Sequence, residues 1–197
     1  MTCAGHRPDH RATKPKTGEQ AMATAKKSAK KAAAKAAPAK AKAAAGPKIG
    51  DKAPDFTLPT DTGSITLSQL KGKAVVVYFY PRDDTPGCTK EACGFNDALP
   101  QFGKVGAEII GISKDSEKSH GKFRAKYGLK FHLASDAETK VLQAYGAWTE
   151  KSLYGRKYMG IERSTFLVDK TGIVRGVWRG VKVPGHVEEV LAAAKAL

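Results

Sequence analysis

The chain has 197 residues, 41% of them hydrophobic, and a formal net charge of +15. No run approaches the roughly 18 apolar residues of a membrane span, and the first residues lack the apolar core of a secretory signal. Both point to a protein of the reducing cytoplasm with no membrane partner, where closely spaced cysteines serve catalysis or metal binding more often than permanent cross-linking.

The charge is uneven. Residues 1–48 carry 12 Lys and Arg against 2 Asp and Glu, leaving 22 and 17 for residues 49–197. Residues 23–46 are nearly all Ala and Lys, with Pro38 as an interruption and no Leu, Ile, Val or aromatic residue. Such a segment cannot bury a core and is expected to be disordered on its own. Composition changes at Met22, which is a candidate translation start. The division read from this is a disordered basic tail over 1–48 and one folded domain over 49–197.

Within the domain, Phe56-Thr57-Leu58 and Ser64 to Leu67 flank Thr60-Asp61-Thr62-Gly63, a hairpin signal. Ala74 to Tyr80 is a continuous apolar run, as in a buried central strand. A helix is expected from Pro86 to about Phe102, bent or interrupted near Pro100. A strand over Glu108 to Ile112 follows, then a helix over Glu117 to Tyr127, a short strand at His132 to Ala134 and a short helix over Glu138 to Tyr145. Arg163 to Asp169 and Ile173 to Trp178 form a second hairpin around Lys170-Thr171-Gly172, and Val187 to Leu197 is a final amphipathic helix. Alternating strands and helices that end in a hairpin and a helix predict an α/β domain of thioredoxin-like fold, a central mixed sheet with helices on both faces.

The chemistry concentrates where the Ala74–Tyr80 strand runs into Pro81-Arg82-Asp83-Asp84-Thr85-Pro86-Gly87-Cys88-Thr89-Lys90-Glu91-Ala92-Cys93. Thr85 is a good helix N-cap and Pro86 suits the first helical position, so Cys88 falls in the first turn. The unsatisfied N–H groups and the dipole there favour a thiolate. Cys93 follows five residues later. On an intact helix that spacing rotates about 140° net and rises about 7.5 Å, beyond the roughly 4.4–6.8 Å that a disulfide tolerates. A Cys88–Cys93 disulfide therefore requires the first turns to unwind, with Gly87 and Gly94 easing the change. The alternative is two separately packed thiols. A zinc site is disfavoured, because His120, His132 and His186 are scattered singly and no second ligand pair exists.

Pro81-x-x-x-Thr85-x-x-Cys88 resembles the peroxiredoxin active-site signature, and Thr85-Pro86-Gly87-Cys88-Thr89-x-Glu91-x-Cys93 is similar to the peroxiredoxin Q branch, also called bacterioferritin comigratory protein. Ala53 to Leu58, Gly111 to Asp115 and Gly160 to Asp169 extend the match, which spans residues 49–197 but not the tail. The resemblance implies a thiol peroxidase without metal or organic cofactor, acting on hydrogen peroxide or organic hydroperoxides. Cys88 would be the peroxidatic cysteine and Cys93 the resolving one, their disulfide being reduced by thioredoxin or a similar dithiol. The Thr85 hydroxyl and Cys88 N–H would bind peroxide oxygens, Arg163 would steady the thiolate, and Pro81 would shield the sulfur. Glu91 either joins this network or faces solvent. Trp148, Tyr154 and Tyr158 are read as packing and loop residues. The branch is often monomeric, and a monomer is expected.

The Ala/Lys tail resembles linker-histone tails in composition, so residues 23–48 are a candidate for non-specific DNA binding and nucleoid association. The rival readings are a nucleic-acid-binding protein with a degenerate peroxiredoxin domain, and a disulfide oxidoreductase acting on proteins.

Overall fold

The computed structural model describes residues 46–153 and 155–197. Cys3, Met22, almost all of the basic tail and Tyr154 lie outside the described residues.

The strands are β1 (Thr57–Thr60), β2 (Gly63–Thr66), β3 (Ala74–Phe79), β4 (Ala107–Ser113), β5 (His132–Ser135), β6 (Trp148–Leu153), β7 (Arg156–Ile161), β8 (Ser164–Val168) and β9 (Val174–Arg179). The helices are α1 (Pro86–Lys104), α2 (Glu117–Tyr127), α3 (Lys140–Ala144) and α4 (His186–Lys195). Seven strands form one mixed sheet in the order β2-β1-β5-β4-β3-β8-β9. β3, β4 and β5 run parallel, whereas β8 pairs antiparallel with β3.

Every residue of β3 is buried. Period-two alternation sends Ala74, Val76, Tyr78 and Tyr80 into a core shared with α1, α2 and α4, and Val75, Val77 and Phe79 into a second core shared with Phe56, Leu67, α3 and Tyr145. Two buried faces explain why the strand reads as one unbroken apolar run. The sheet thus carries helices on both sides, the thioredoxin-like arrangement expected.

Three details differ from expectation. α1 continues through Pro100 to Lys104. Phe95, Ala98 and Phe102 on either side are buried against the sheet, and that packing outweighs the missing hydrogen bond of an interior proline. Residues 148–161 form an antiparallel ribbon, β6 with β7, separate from the main sheet. Glu150, Lys151, Arg156 and Lys157 give it no apolar alternation to read. Trp148 packs against the second core, but Tyr158 is 47% exposed and is no packing residue.

Gly111 faces Tyr78 across the β3–β4 ladder. A Cβ there would stand 2.7 Å from the Tyr78 hydroxyl oxygen, and Tyr78, stacked on Phe95 with ring centroids 4.9 Å apart, cannot yield. Gly111→Ala is expected to cost about 1–3 kcal/mol. Gly103, on α1 with open space around it, is expected to gain about 0.5–1 kcal/mol as Ala. Urea unfolding of the two variants, compared at equal m, checks both signs.

Candidate active site

β3 and α1 deliver the reactive segment. Tyr80 follows the end of β3, residues 81–85 make the turn, and Pro86 opens the helix. Thr85 takes the N-cap position with extended backbone angles, and its carbonyl accepts the Thr89 N–H at 2.8 Å. Its hydroxyl makes no helix-capping bond, so the N-cap expected of Thr85 is filled by its backbone; the hydroxyl donates instead to the Arg82 carbonyl at 3.1 Å. The backbone suffices for the cap, and the Thr85 Oγ1 lone pairs stay available. Cys88 stands in the first turn and is 2% exposed, packed in the cluster that holds Tyr78, Tyr80, Ala92 and Phe95. Pro81 is exposed on the bend after β3.

Arg163 reaches this thiol from just before β8. Antiparallel pairing of β8 with β3 brings the two chain segments side by side, Ser164 opposite Phe79. Arg163 Nη2 donates to Cys88 Sγ at 3.2 Å, and its Nη1 donates to Glu91 Oε2. Of the two readings open for Glu91, the structure selects the buried network, and it brings Arg163 to the sulfur. Glu91 is fully buried and Arg163 is 15% exposed at its side chain. The signal for Glu91 was its place three residues after Cys88, hence on the same helix face.

The network is only partly satisfied. Glu91 Oε1 and the Tyr78 hydroxyl, both buried, find no hydrogen-bond partner among the described residues. Burial pushes the Glu91 carboxyl up to about 7, against the opposing pull of Arg163. Burial also drives Tyr78 well above its ordinary value, reinforced by Glu91 and Cys88, so its hydroxyl keeps its proton. Burial opposes the charge on Arg163, but Glu91 and Cys88 more than offset it. A fixed cation thus faces one sulfur and one carboxyl that titrates near neutral pH. Tyr78 escaped the sequence reading because, within an apolar run, it looks like any other core aromatic.

Cys88 and Cys93 are both reduced, and both lie within the uninterrupted α1. This is the continuous helix expected of the dithiol state. The histidines lie apart: His120 is buried against Asp83, His186 is buried at 2.8 Å from the Thr165 hydroxyl, and His132 is exposed.

The profile of the AhpC/TSA family matches residues 49–177. The peroxiredoxin Bcp of Bacillus subtilis (strain 168) is 51% identical over 149 residues, covering 75% of this chain and 95% of that protein. This chain belongs to the peroxiredoxin family. Among solved structures, a PrxQ mutant from Xylella fastidiosa shares 43% identity with a TM-score of 0.72, over 76% of this chain and 96% of that one. A Xanthomonas campestris bacterioferritin comigratory protein, studied for alkyl peroxide reduction through trapped intermediate and ligand complexes, shares 48% identity with a TM-score of 0.69, over 72% and 90%. The branch is therefore PrxQ/Bcp, and the portion of this peroxiredoxin beyond its relatives amounts to about a quarter of the chain.

The carboxyl of Glu91 sets a pH test. Its folded value, about 7, lies above the ordinary 4.5, so between these limits the folded protein keeps a proton that the unfolded chain has lost. Stability contributed by this group is full below the lower value and declines as pH rises to the upper one. The total is on the order of 3 kcal/mol. Glu91→Gln is expected to remove that decline, and urea unfolding of both proteins at about pH 5 and about pH 8 measures it.

Proposed function

We propose that this peroxiredoxin reduces hydrogen peroxide and organic hydroperoxides through Cys88, with Cys93 as the resolving thiol. The observation that carries the reading is the Arg163 N–H donated to Cys88 Sγ at 3.2 Å, at the start of a helix that also contains Cys93.

In the first step the Cys88 thiolate attacks one peroxide oxygen. The S–O bond forms as the O–O bond breaks, and the leaving oxygen takes up a proton and departs as water or an alcohol. Cys88 becomes a sulfenic acid. The developing negative charge lies against the Arg163 guanidinium, which needs no reorganisation to meet it. The first-turn N–H of Cys88 is the donor assigned to the peroxide, the Thr85 Oγ1, whose own proton goes to the Arg82 carbonyl, accepts the peroxide O–H, and Pro81 caps the approach. In the second step the Cys93 thiol attacks the Cys88 sulfur, expelling water and forming the disulfide. The rise of about 7.5 Å between the two positions makes unwinding of the first turns of α1 a part of each cycle. A thioredoxin-type dithiol then reduces the disulfide and is itself oxidised.

The finer assignments are ours as well. We assign a monomer in the cytoplasm, where the pair is returned to the dithiol after each turnover. Among the described residues no helix is long and apolar enough to cross a membrane. We take residues 1–48 as a separate basic segment and 49–197 as the catalytic domain, in line with the start of the family match at residue 49. We assign residues 23–48 to non-specific nucleic-acid binding near the nucleoid, on their charge alone.

Stopped-flow fluorescence of the reduced protein with hydrogen peroxide, followed by a thiol count, tests the chemistry. Fast oxidation with loss of two thiols is expected. Cys88→Ser should abolish it, Cys93→Ser should stop at the sulfenic acid, and Arg163→Met should slow it about a hundredfold or more. Oxidation of the wild type at the rate of an ordinary thiol would reject the assignment. For the tail, the full chain should be held on DNA at low salt and released as salt rises, while a chain beginning at Pro47 should not be held. Equal retention of the two would remove that role.

A further inference from the structure

The turn that carries Thr85 is anchored by a buried polar cluster separate from the Cys88–Arg163–Glu91 network. The Asp83 carboxylate is 8% exposed. Its Oδ1 accepts the Tyr80 hydroxyl at 2.7 Å, its Oδ2 accepts the Ser119 hydroxyl at 2.7 Å, and His120 Nδ1 lies 2.9 Å from Oδ2. The backbone N–H of Asp83 donates to Asp115 Oδ2 at 2.7 Å, an oxygen that also accepts the Ser113 hydroxyl at 2.9 Å. Burial works against the Asp83 charge, yet the bonds from His120, Ser119 and Tyr80 hold its carboxyl below the usual carboxylate range. It is therefore an acceptor only, and each neighbour must donate.

Three of these partners, Asp115, Ser119 and His120, lie 32, 36 and 37 residues away in sequence, the last two on α2. The adjacent Asp84 has a left-handed backbone, φ 55°, and its carboxylate accepts from Lys126 and Tyr127, again on α2. That second contact is solvent-exposed and worth little; the Asp83 contact is buried and charge-assisted. Only Asp84 and Thr85 separate Asp83 from the first residue of α1.

We propose that Asp83 is a positioning residue whose clamp to Tyr80, Ser119 and His120 holds the Thr85–Cys88 turn in its peroxide-reactive form and raises the cost of the unwinding that brings Cys88 to Cys93. The clamp fixes the N-terminal end of the segment that has to unwind. While it holds, freedom begins only after residue 83, and the helix-initiating bond from Thr89 N–H to Thr85 carbonyl keeps its alignment. Once it opens, the unwound segment extends back to the end of β3, and the unwound state gains the conformational entropy of the added residues. The same release loosens Thr85 and the first turn of α1, and so impairs the reactive geometry. Asp83 therefore trades one step of the cycle against the other.

The proposal rests on the Cys88–Cys93 reading, and one experiment separates the two. The reduced full chain is mixed with hydrogen peroxide in a stopped-flow fluorimeter. A concentration-dependent phase reports oxidation of Cys88, and a concentration-independent phase reports disulfide formation. Trp178, packed on the core that contains α1 and in edge contact with His186, supplies the signal. Asp83→Asn should slow the first phase and speed the second, each by about tenfold, the scale set by one charge-assisted hydrogen bond. Tyr80→Phe, which removes one donor and preserves the ring, should move both rates in the same directions by less, and serves if Asp83→Asn does not fold. Amide exchange of residues 86–93 in the reduced variants should accelerate accordingly. Unchanged rates, or two rates falling together, would overturn the clamp while leaving the cysteine assignment intact. A wild type that forms no Cys88–Cys93 disulfide would overturn both.

Discussion

One guanidinium organises the catalytic end of this molecule. Arg163 is held between the Cys88 sulfur and the Glu91 carboxylate, in surroundings where charge is costly and electrostatic contacts are correspondingly strong. Each partner depends on it. Without Arg163 the buried Glu91 would have no counter-charge and the Cys88 sulfur would face only helix-end dipoles. The pair is nevertheless unbalanced, since Glu91 keeps one oxygen without a partner among the described residues and binds a proton near neutral pH. With Glu91 protonated, more of the guanidinium charge is available to the sulfur.

The sheet explains how that contact arises. β3 ends at the turn, β8 starts beside it in antiparallel register, and Arg163 immediately precedes β8. A chain separation of 75 residues becomes a hydrogen bond because two neighbouring strands share an end. α1, packed through Phe95, Ala98 and Phe102, keeps the remainder of the helix in place while its first turns carry the chemistry.

A second layer lies behind the first. Tyr80, Asp83, Ser119 and His120 are all at least partly buried and joined by hydrogen bonds centred on Asp83, a cluster distinct from the hydrogen bonds that Arg163 gives to Cys88 and Glu91. Buried polar groups of this kind specify a geometry more than they add stability. Their placement under the reactive turn ties the catalytic segment to α2, an element that contributes nothing directly to the sulfur.

Much of this was open to reading from the chain alone, for local reasons. The unbroken apolar run of β3, the N-cap and proline before Cys88, and the spacing to Cys93 depend on neighbours in sequence, and the signature around Cys88 points to the family. α2 was expected over Glu117 to Tyr127 and spans those residues, with a Ser116 side-chain cap and a left-handed Gly128, φ 64°, that the structure displays. The β6–β7 ribbon was not legible, since Glu150, Lys151, Arg156 and Lys157 leave its strands without a regular apolar alternation. The resemblance alone put Arg163 at the thiolate, and the residues left Glu91 open between the network and solvent and Asp83 unread, because a charged residue reads as solvent-facing until tertiary packing supplies its partner. Local patterning thus determined which residue would be the nucleophile and what helix would hold it. Only the folding of β8 against β3, and of α2 against the turn, decided which charges would surround it, because burial and pairing of charges are properties of contacts between distant segments.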